Sequence, residues 1–211
     1  MRSLILCIAY FMLVGCSEAT LPESGASKLS SLPSEEQAVI EALLDQFLFK
    51  PTGSDGIYVI EHVASLRGLT REDGLDKLAE SLRAAAQRDS GSLPSAVEDL
   101  IKRNEHDTEF TLPTERFSRV RLISRDRINE IFSRDSVSTP KGWDLFYREY
   151  PEAGGMISIS RPGISADGTV AIIYCGMQSH YLAGSGQLWV LELREGAWKL
   201  TSTYIGPSWV S

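Results

Sequence analysis

The residues best suited to chemistry in this chain are a cysteine, a histidine and a serine that lie close together near the C-terminus. Cys175 could act as a thiol nucleophile and His180 as its base, but the sequence offers no third group to orient the imidazole. Ser185 lies between Gly184 and Gly186 and lacks the G-x-S-x-G elbow of a serine hydrolase. We therefore expect Cys175 to be a small buried strand residue and the glycines to permit a hairpin, and we predict no catalytic residue.

A cluster of arginines is the best candidate for a binding surface. On a strand, Arg119 and Arg121 would point the same way while Val120 and Leu122 face the core. Such a stripe could contact anionic headgroups or an acidic cell-wall polymer. The simpler alternative is a solvated strand face balanced by neighbouring carboxylates. The cluster as a whole comprises Arg116, Arg119, Arg121, Arg125 and Arg127.

Arg161 is a second candidate contact because it follows the apolar run Met156–Ile159. Its guanidinium donors could bind the carboxylate of a ligand, or could fasten the Gly163–Gly168 turn through hydrogen bonds to carbonyl groups. We favour the structural role.

Histidines give no indication of a metal site. No two of them have the close spacing of a helical zinc motif. The acidic surroundings of His106 could hold a cation loosely, but a solvated loop is the simpler interpretation. No metal and no cofactor are therefore predicted, although the chain has three histidines, His62, His106 and His180.

Helical periodicity dominates the first two thirds of the chain. One helix is predicted over Ser34–Leu48, a second over about 70–88, and two more begin after Ser95 and Ser124. A short aromatic helix that ends before Pro151 follows. The predicted capping residues are, in chain order, Ser34 with Gln37, Ser95 with Glu98, and Ser124.

The last third of the chain changes to the alternating period of β-strands. Strands are also predicted earlier, at Ile57–Val63 and Ser118–Ile123. Residues 176–186 are predicted to form a glycine-rich loop. The fold class is therefore α+β, with N-terminal helices followed by a C-terminal four-stranded antiparallel meander. Its four strands are Met156–Ser160, Thr169–Cys175, Gln187–Leu193 and Trp198–Tyr204.

The N-terminus resembles the signal of a bacterial lipoprotein. Arg2 precedes a short apolar run that ends in the lipobox Leu13-Val14-Gly15-Cys16. The run is too short to span a bilayer. The resemblance implies cleavage after residue 15, a lipid on Cys16, and an outer-membrane position facing the periplasm if the organism is Gram-negative, because Ser17 follows the cysteine. Residues 16–33 are predicted to include a flexible tether and residues 34–211 a single domain.

Composition excludes some classes of function. Removal of residues 1–15 from the 211 leaves 196 residues and takes away Arg2 but no acid, so the net charge falls from −7 to −8. A basic footprint for nucleic acid is therefore absent, and none is expected as a partner. Cys175 becomes the only unmodified thiol, so no intramolecular disulfide can form.

The last third of the chain also resembles a family of uncharacterised bacterial proteins. The resemblance rests on a pattern that runs from Trp143 to the terminal Trp209-Val210-Ser211, with Ser160, Arg161 and Gly163 at its centre. Members with a cysteine-containing loop after the second strand differ from this chain, which lacks both cysteines. The resemblance implies no established activity.

These features favour a lipid-anchored protein of the cell envelope that works by binding rather than catalysis. Its expected partners are the membrane, through the lipid on Cys16, and an envelope protein or cell-wall polymer. The alternative is an envelope hydrolase with a site near residues 176–186. The two hypotheses differ in whether His180, Ser185 and Arg161 converge around one cavity.

Overall fold

The described part of the chain is an α+β structure. The computed structural model describes residues 32–48, 56–66, 69, 74–87, 91–113, 115–132 and 140–210. Within these ranges lie five helices: α1 (Ser34–Leu43, continued by a π-helical turn at Leu44–Leu48), α2 (Gly74–Ala86), α3 (Leu93–Arg103), α4 (Arg125–Ile131) and α5 (Pro140–Glu149). None of them combines the length and the apolar character needed to cross a bilayer.

The same ranges contain nine strands. Seven of these strands form one mixed sheet, and two very short strands pair separately. They are β1 (Ile57–Glu61), β2 (Val63–Ala64), β3 (Thr108–Glu109), β4 (Val120–Ile123), β5 (Ala153–Ile159), β6 (Gly163–Ile164), β7 (Val170–His180), β8 (Ala183–Arg194) and β9 (Ala197–Val210).

The observed sheet is larger than the predicted four-stranded antiparallel meander, and it is mixed. The four predicted strands exist as β5, β7, β8 and β9, and they pair antiparallel in that order. However, β1 lies parallel to both β4 and β5, so the sheet order is β4-β1-β5-β7-β8-β9, with β6 on β7. Parallel neighbours need a long crossover. Two helices, α4 and α5, make one such crossover between β4 and β5, so the helices are not all N-terminal.

Helices cover both faces of the sheet because its central strands are apolar on both sides. Along β7, Ile173 and Cys175 lie in the cluster that contains α1, whereas Ile172 and Tyr174 lie in the cluster that contains α2 and α3. The helices α4 and α5 pack on Val59 of β1 in a third cluster. The two helix pairs therefore share the face opposite α1.

Two of the predicted capping boxes do not form. Helix α1 begins at Ser34 after Pro33 without a side-chain cap, and Gln37 Nε2 instead donates to Glu41 Oε1 at 2.9 Å. Helix α3 begins at Leu93, before the predicted start at Ser95, because a proline in its first turn already has the required φ. The third prediction is confirmed, since Ser124 Oγ accepts a hydrogen bond from Arg127 N.

The predicted glycine-rich loop at residues 176–186 is wrong. Strands β7 and β8 continue through it, and only Tyr181 and Leu182 form the turn. The glycines serve close approach rather than loop conformation. A Cβ on Gly186 would overlap the indole nitrogen of Trp209 and would lie only 2.7 Å from the hydroxyl of Tyr174.

Leu32, the first residue that the structure describes, is buried in the hydrophobic cluster that contains α1. The predicted signal peptide, Cys16 and residues 17–31 of the predicted tether lie outside the described residues.

Candidate functional site

The three residues that would mark a hydrolase do not lie together. His180 is at the end of β7, where its ring centroid is 4.2 Å from that of Tyr181. Ser185 is exposed on β8, opposite Met177. Arg161 follows β5 near Ile159, whose partner on β7 is Cys175. Along β7, Cys175 lies about 16 Å from His180. No hydrogen bond among the described residues joins any two of the three.

Cys175 is buried in the core on the α1 side of the sheet. Burial raises the pKa of its thiol to about 12. A thiol with such a pKa is almost entirely protonated near neutral pH and is a poor nucleophile.

Gly176 of β7 and Gly186 of β8 leave space for the rings of Tyr174 and Trp209. Gly176 and Gly186 are register partners, and Trp209 is the partner of Gly186 on β9. The indole N–H of Trp209 donates to the hydroxyl of Tyr174 at 3.1 Å. Burial of Tyr174 raises the pKa of its phenol. The space that side chains at these glycines would fill is occupied by the two rings, so it offers little room for a ligand.

Arg161 holds the fold together through a fully buried carboxylate. Its guanidinium donates to Glu36 of α1 through Nε at 2.8 Å and through Nη2 at 2.6 Å. Arg103 of α3 donates to the same carboxylate at 2.5 Å and to Asp99 at 2.5 Å. Asn104 adds hydrogen bonds to the backbone of Arg161. These residues form what we call the Glu36 clamp, which joins α1, α3 and the segment between β5 and β6.

The two arginines predicted as surface contacts also bond within the protein. Arg119 donates to the carbonyl oxygen of Gly56 through Nε at 2.9 Å and Nη2 at 2.7 Å, and its guanidinium lies 5.4 Å from the ring centroid of Tyr58. Arg121 donates to the carbonyl oxygens of Ser118 and Val120.

The remaining arginines of the cluster pair with carboxylates. Arg116 contacts Glu41 and Asp45, and Arg125 contacts Glu61. Burial raises the pKa of Glu61 even though Arg125 opposes the shift. Every described arginine of the cluster therefore has an acceptor inside the chain, including Arg127 with Glu130 and Glu149.

Metal-ligating residues do not gather in the described ranges. No group of three or more His, Cys, Asp or Glu side chains in those ranges could hold a metal ion. His62 Nε2 lies 3.6 Å from Glu109 Oε1, while His106 is exposed.

A groove between α2 and α3 is the strongest candidate for a binding site. It encloses about 700 Å³, which is within the range of ligand sites, whereas three other cavities enclose about 350, 430 and 460 Å³. Leu78 and Ala79 of α2 are buried, but Leu75, one turn earlier, remains 40% exposed. The apolar lining is Leu66, Leu75, Leu78, Ala79 and Ile101.

Carboxylates on the rim of this groove have no bonded partner among the described residues. Asp76 and Glu80 lie on α2, and Glu105 lies just after α3; all three are exposed. The one cation of the lining, Arg83, bonds instead to Glu98 of α3 at 2.7 and 2.9 Å, and this hydrogen bonding lowers the pKa of Glu98. The groove is therefore negative and partly apolar.

The periodicity of the sequence predicts helix α2 but does not indicate the groove. One signal was available: Asp76 and Glu80 are like charges at the i and i+4 positions, which weakens a helix, and both follow Leu75 closely in the sequence. No protein-family model, curated protein or solved structure matches this chain.

Proposed function

We propose that this chain is a lipid-anchored protein of the bacterial envelope that binds a partner without catalysing a reaction, and that the groove between α2 and α3 is its binding surface. The single observation that supports the binding role is that the groove carboxylates and the candidate arginines differ in their hydrogen bonds and ion pairs. The rim carboxylates next to the half-exposed Leu75 bond to no residue that the structure describes, whereas Arg119, Arg121 and Arg161 are bonded inside the fold.

The anchor rests on the lipobox that ends at Cys16. Several acyl chains on this residue would give stable attachment to a membrane. The 15 residues between Cys16 and Leu32 would let the body stand off by about 20–25 Å, because a polar, glycine- and serine-containing linker behaves as a coil. Attachment at this distance raises the effective concentration of the domain near partners at the same surface.

The competing hypothesis, a hydrolase that uses residues 176–186, has weaker support. Those residues form the ends of two paired strands and the two-residue turn between them, and His180, Ser185 and Arg161 make no hydrogen bonds to one another. The ordinary route to a serine or cysteine nucleophile needs an adjacent base.

Lipid attachment is tested by labelling cells with a palmitate analogue and separating their membranes. The unchanged protein should carry the label and fractionate with the membranes, and Cys16→Ser should lose the label. Cys7→Ser is the matched control, because Cys7 lies in the segment removed with the signal. Retention of label by Cys16→Ser would contradict the anchor.

Partner binding is tested by cross-linking in intact cells followed by mass spectrometry. We expect a partner that is recovered with the lipidated protein and lost when Glu80 and Glu105 are both changed to Gln. Recovery of the same partner with this double variant would show that the binding surface lies outside the groove.

A further inference from the structure

We infer that the groove between α2 and α3 binds a basic amphipathic segment of a partner protein, in which an apolar side chain is flanked by Lys or Arg. This inference rests on the proposed binding function and adds the chemistry of the partner. It follows from the lining of the groove, from the charge of its rim and from the partners that this charge disfavours.

The apolar part of the lining provides an anchoring point. Leu75 is 40% exposed, while Leu66 and Leu78 behind it are buried. Ile101 of α3 is half-buried on the opposite wall. A leucine-sized side chain placed between Leu75 and Ile101 would remove apolar area of both walls from water, which is favourable in proportion to that area.

The charged part of the lining selects a cation. Asp76, Glu80 and Glu105 have no hydrogen bond or ion pair with any described residue, and Arg83 is committed to Glu98. The three carboxylates outnumber Arg83, the one cation among the described residues of the lining, whose charge also acts on Glu80. The rim therefore repels an acidic segment and attracts a basic one, chiefly through the rate of association. The net charge of −7 of the whole chain acts in the same direction.

Other occupants fit this lining less well. An anionic membrane surface would be repelled by the rim. The chain's own segment between Cys16 and Leu32 contains two glutamates and one lysine, so it is acidic. A second copy remains as an outcome of the test, because α5 exposes Leu145 between Lys141 and Arg148.

The test uses the mature lipoprotein in phosphatidylcholine nanodiscs, with empty nanodiscs as the blank. The probes are two designed fluorescent helical peptides with the same leucines at i, i+4 and i+7, one flanked by lysines and its twin by glutamates. We expect the lysine peptide to bind at least about tenfold more tightly in low salt, and the difference to shrink in high salt. Equal affinity for the two peptides would overturn the inference.

Matched variants locate the binding. Glu80→Gln combined with Glu105→Gln should weaken the lysine peptide about five- to tenfold, since each exposed charge pair contributes modestly. The control combines Glu152→Gln with Glu195→Gln, which removes the same charge from two exposed turns away from the groove, and it should leave the affinity unchanged. Equal weakening by both variants would show that only net charge matters and would overturn the site.

Three readouts distinguish failure of this inference from failure of the proposed function. If the lipoprotein cross-links in cells to a partner that the groove variant loses, but the lysine and glutamate peptides bind equally, the proposed function stands and the inference falls. If sedimentation shows a dimer that both Glu80→Gln and Lys141→Gln dissociate, the occupant is a second copy and the inference of a foreign partner is overturned. If Cys16 carries no lipid, the proposed anchoring fails whatever the peptides show.

Discussion

The Glu36 clamp and the groove between α2 and α3 handle charge in opposite ways, although both use helix α3. In the clamp, a fully buried carboxylate receives hydrogen bonds from Arg161 and Arg103. In the groove, Glu80 and Glu105 are exposed and bond to no described residue. Charges that are buried must be paired, and these pairs are needed for the fold. Charges that are exposed beside apolar surface cost the fold little and are available to a partner.

The largest expected effect is on the clamp. We expect Glu36→Gln to lower the free energy of unfolding by about 3–5 kcal/mol, because it leaves two arginines without their shared buried partner. The matched control is Glu35→Gln. Glu35 is 60% exposed, and its Oε1 lies 3.6 Å from Arg103 Nη2, which is longer than a hydrogen bond. Glu35→Gln should therefore lower the free energy of unfolding by less than about 1 kcal/mol. Urea unfolding measures both, and equal losses would mean that burial of Glu36 is not what stabilises this region.

The helix shared by the two regions can be tested next. Gly163 of β6 lies directly under α3, and an added Cβ would be 2.6 Å from Leu100 Cα and closer still to two backbone atoms of the helix. The helix backbone cannot move aside as a flexible side chain can, so Gly163→Ala should lower the free energy of unfolding by about 3 kcal/mol. It should also weaken peptide binding at the groove.

Gly154→Ala is the control for this change, because nothing lies within 4 Å of an added Cβ there. It should leave both the midpoint of urea unfolding and the peptide affinity nearly unchanged. A stable Gly163→Ala with intact binding would mean that α3 can move away from the sheet without harm to either region.

Local patterns predicted local elements well. Ser124 caps α4 as expected, and the helix with Trp143 and Phe146 forms where the aromatic spacing placed it. Local patterns failed where the decisive contact is distant. Tyr58 pairs with Val120 in a parallel register that no neighbouring residue specifies.

The candidate site was missed for the same reason. The sequence favours a structural role for Arg161 but does not reveal its partner, because the carboxylate of Glu36 lies 125 residues away. The groove likewise requires Leu66, Leu75 and Ile101 from three separate segments. Glycines at 176 and 186 suggested a loop because the rings that need their space become neighbours only through strand pairing.

A third, exposed carboxylate tests whether pairing or burial is decisive. Asp167 accepts hydrogen bonds from the hydroxyls of Ser165, Ser92 and Thr169, and these bonds, that from Ser165 first, hold its pKa well below the usual value near 3.9. Since the pKa is lower in the folded state, the stabilisation is complete above about pH 4–5 and is lost as the pH falls toward the folded pKa.

Asp167→Asn should therefore flatten the acid side of the stability profile measured by thermal unfolding. The control is Asp126→Asn, because the carboxylate of Asp126 is exposed and makes no hydrogen bond to a described residue. A profile that Asp167→Asn leaves unchanged would show that hydrogen bonding without burial contributes nothing here.

The smallest expected effect is at the groove itself. Leu75→Asn should change the free energy of unfolding by no more than about 0.5 kcal/mol, because the side chain is already 40% exposed. Leu82→Ala, two turns further along the same helix, should cost about 2–5 kcal/mol, because Leu82 is fully buried. Urea unfolding compares the two, and peptide titration should show weaker binding for Leu75→Asn at unchanged stability. If Leu75→Asn instead destabilises the protein as much as the core change does, Leu75 is covered within the fold, and the groove would belong with the clamp rather than opposite it.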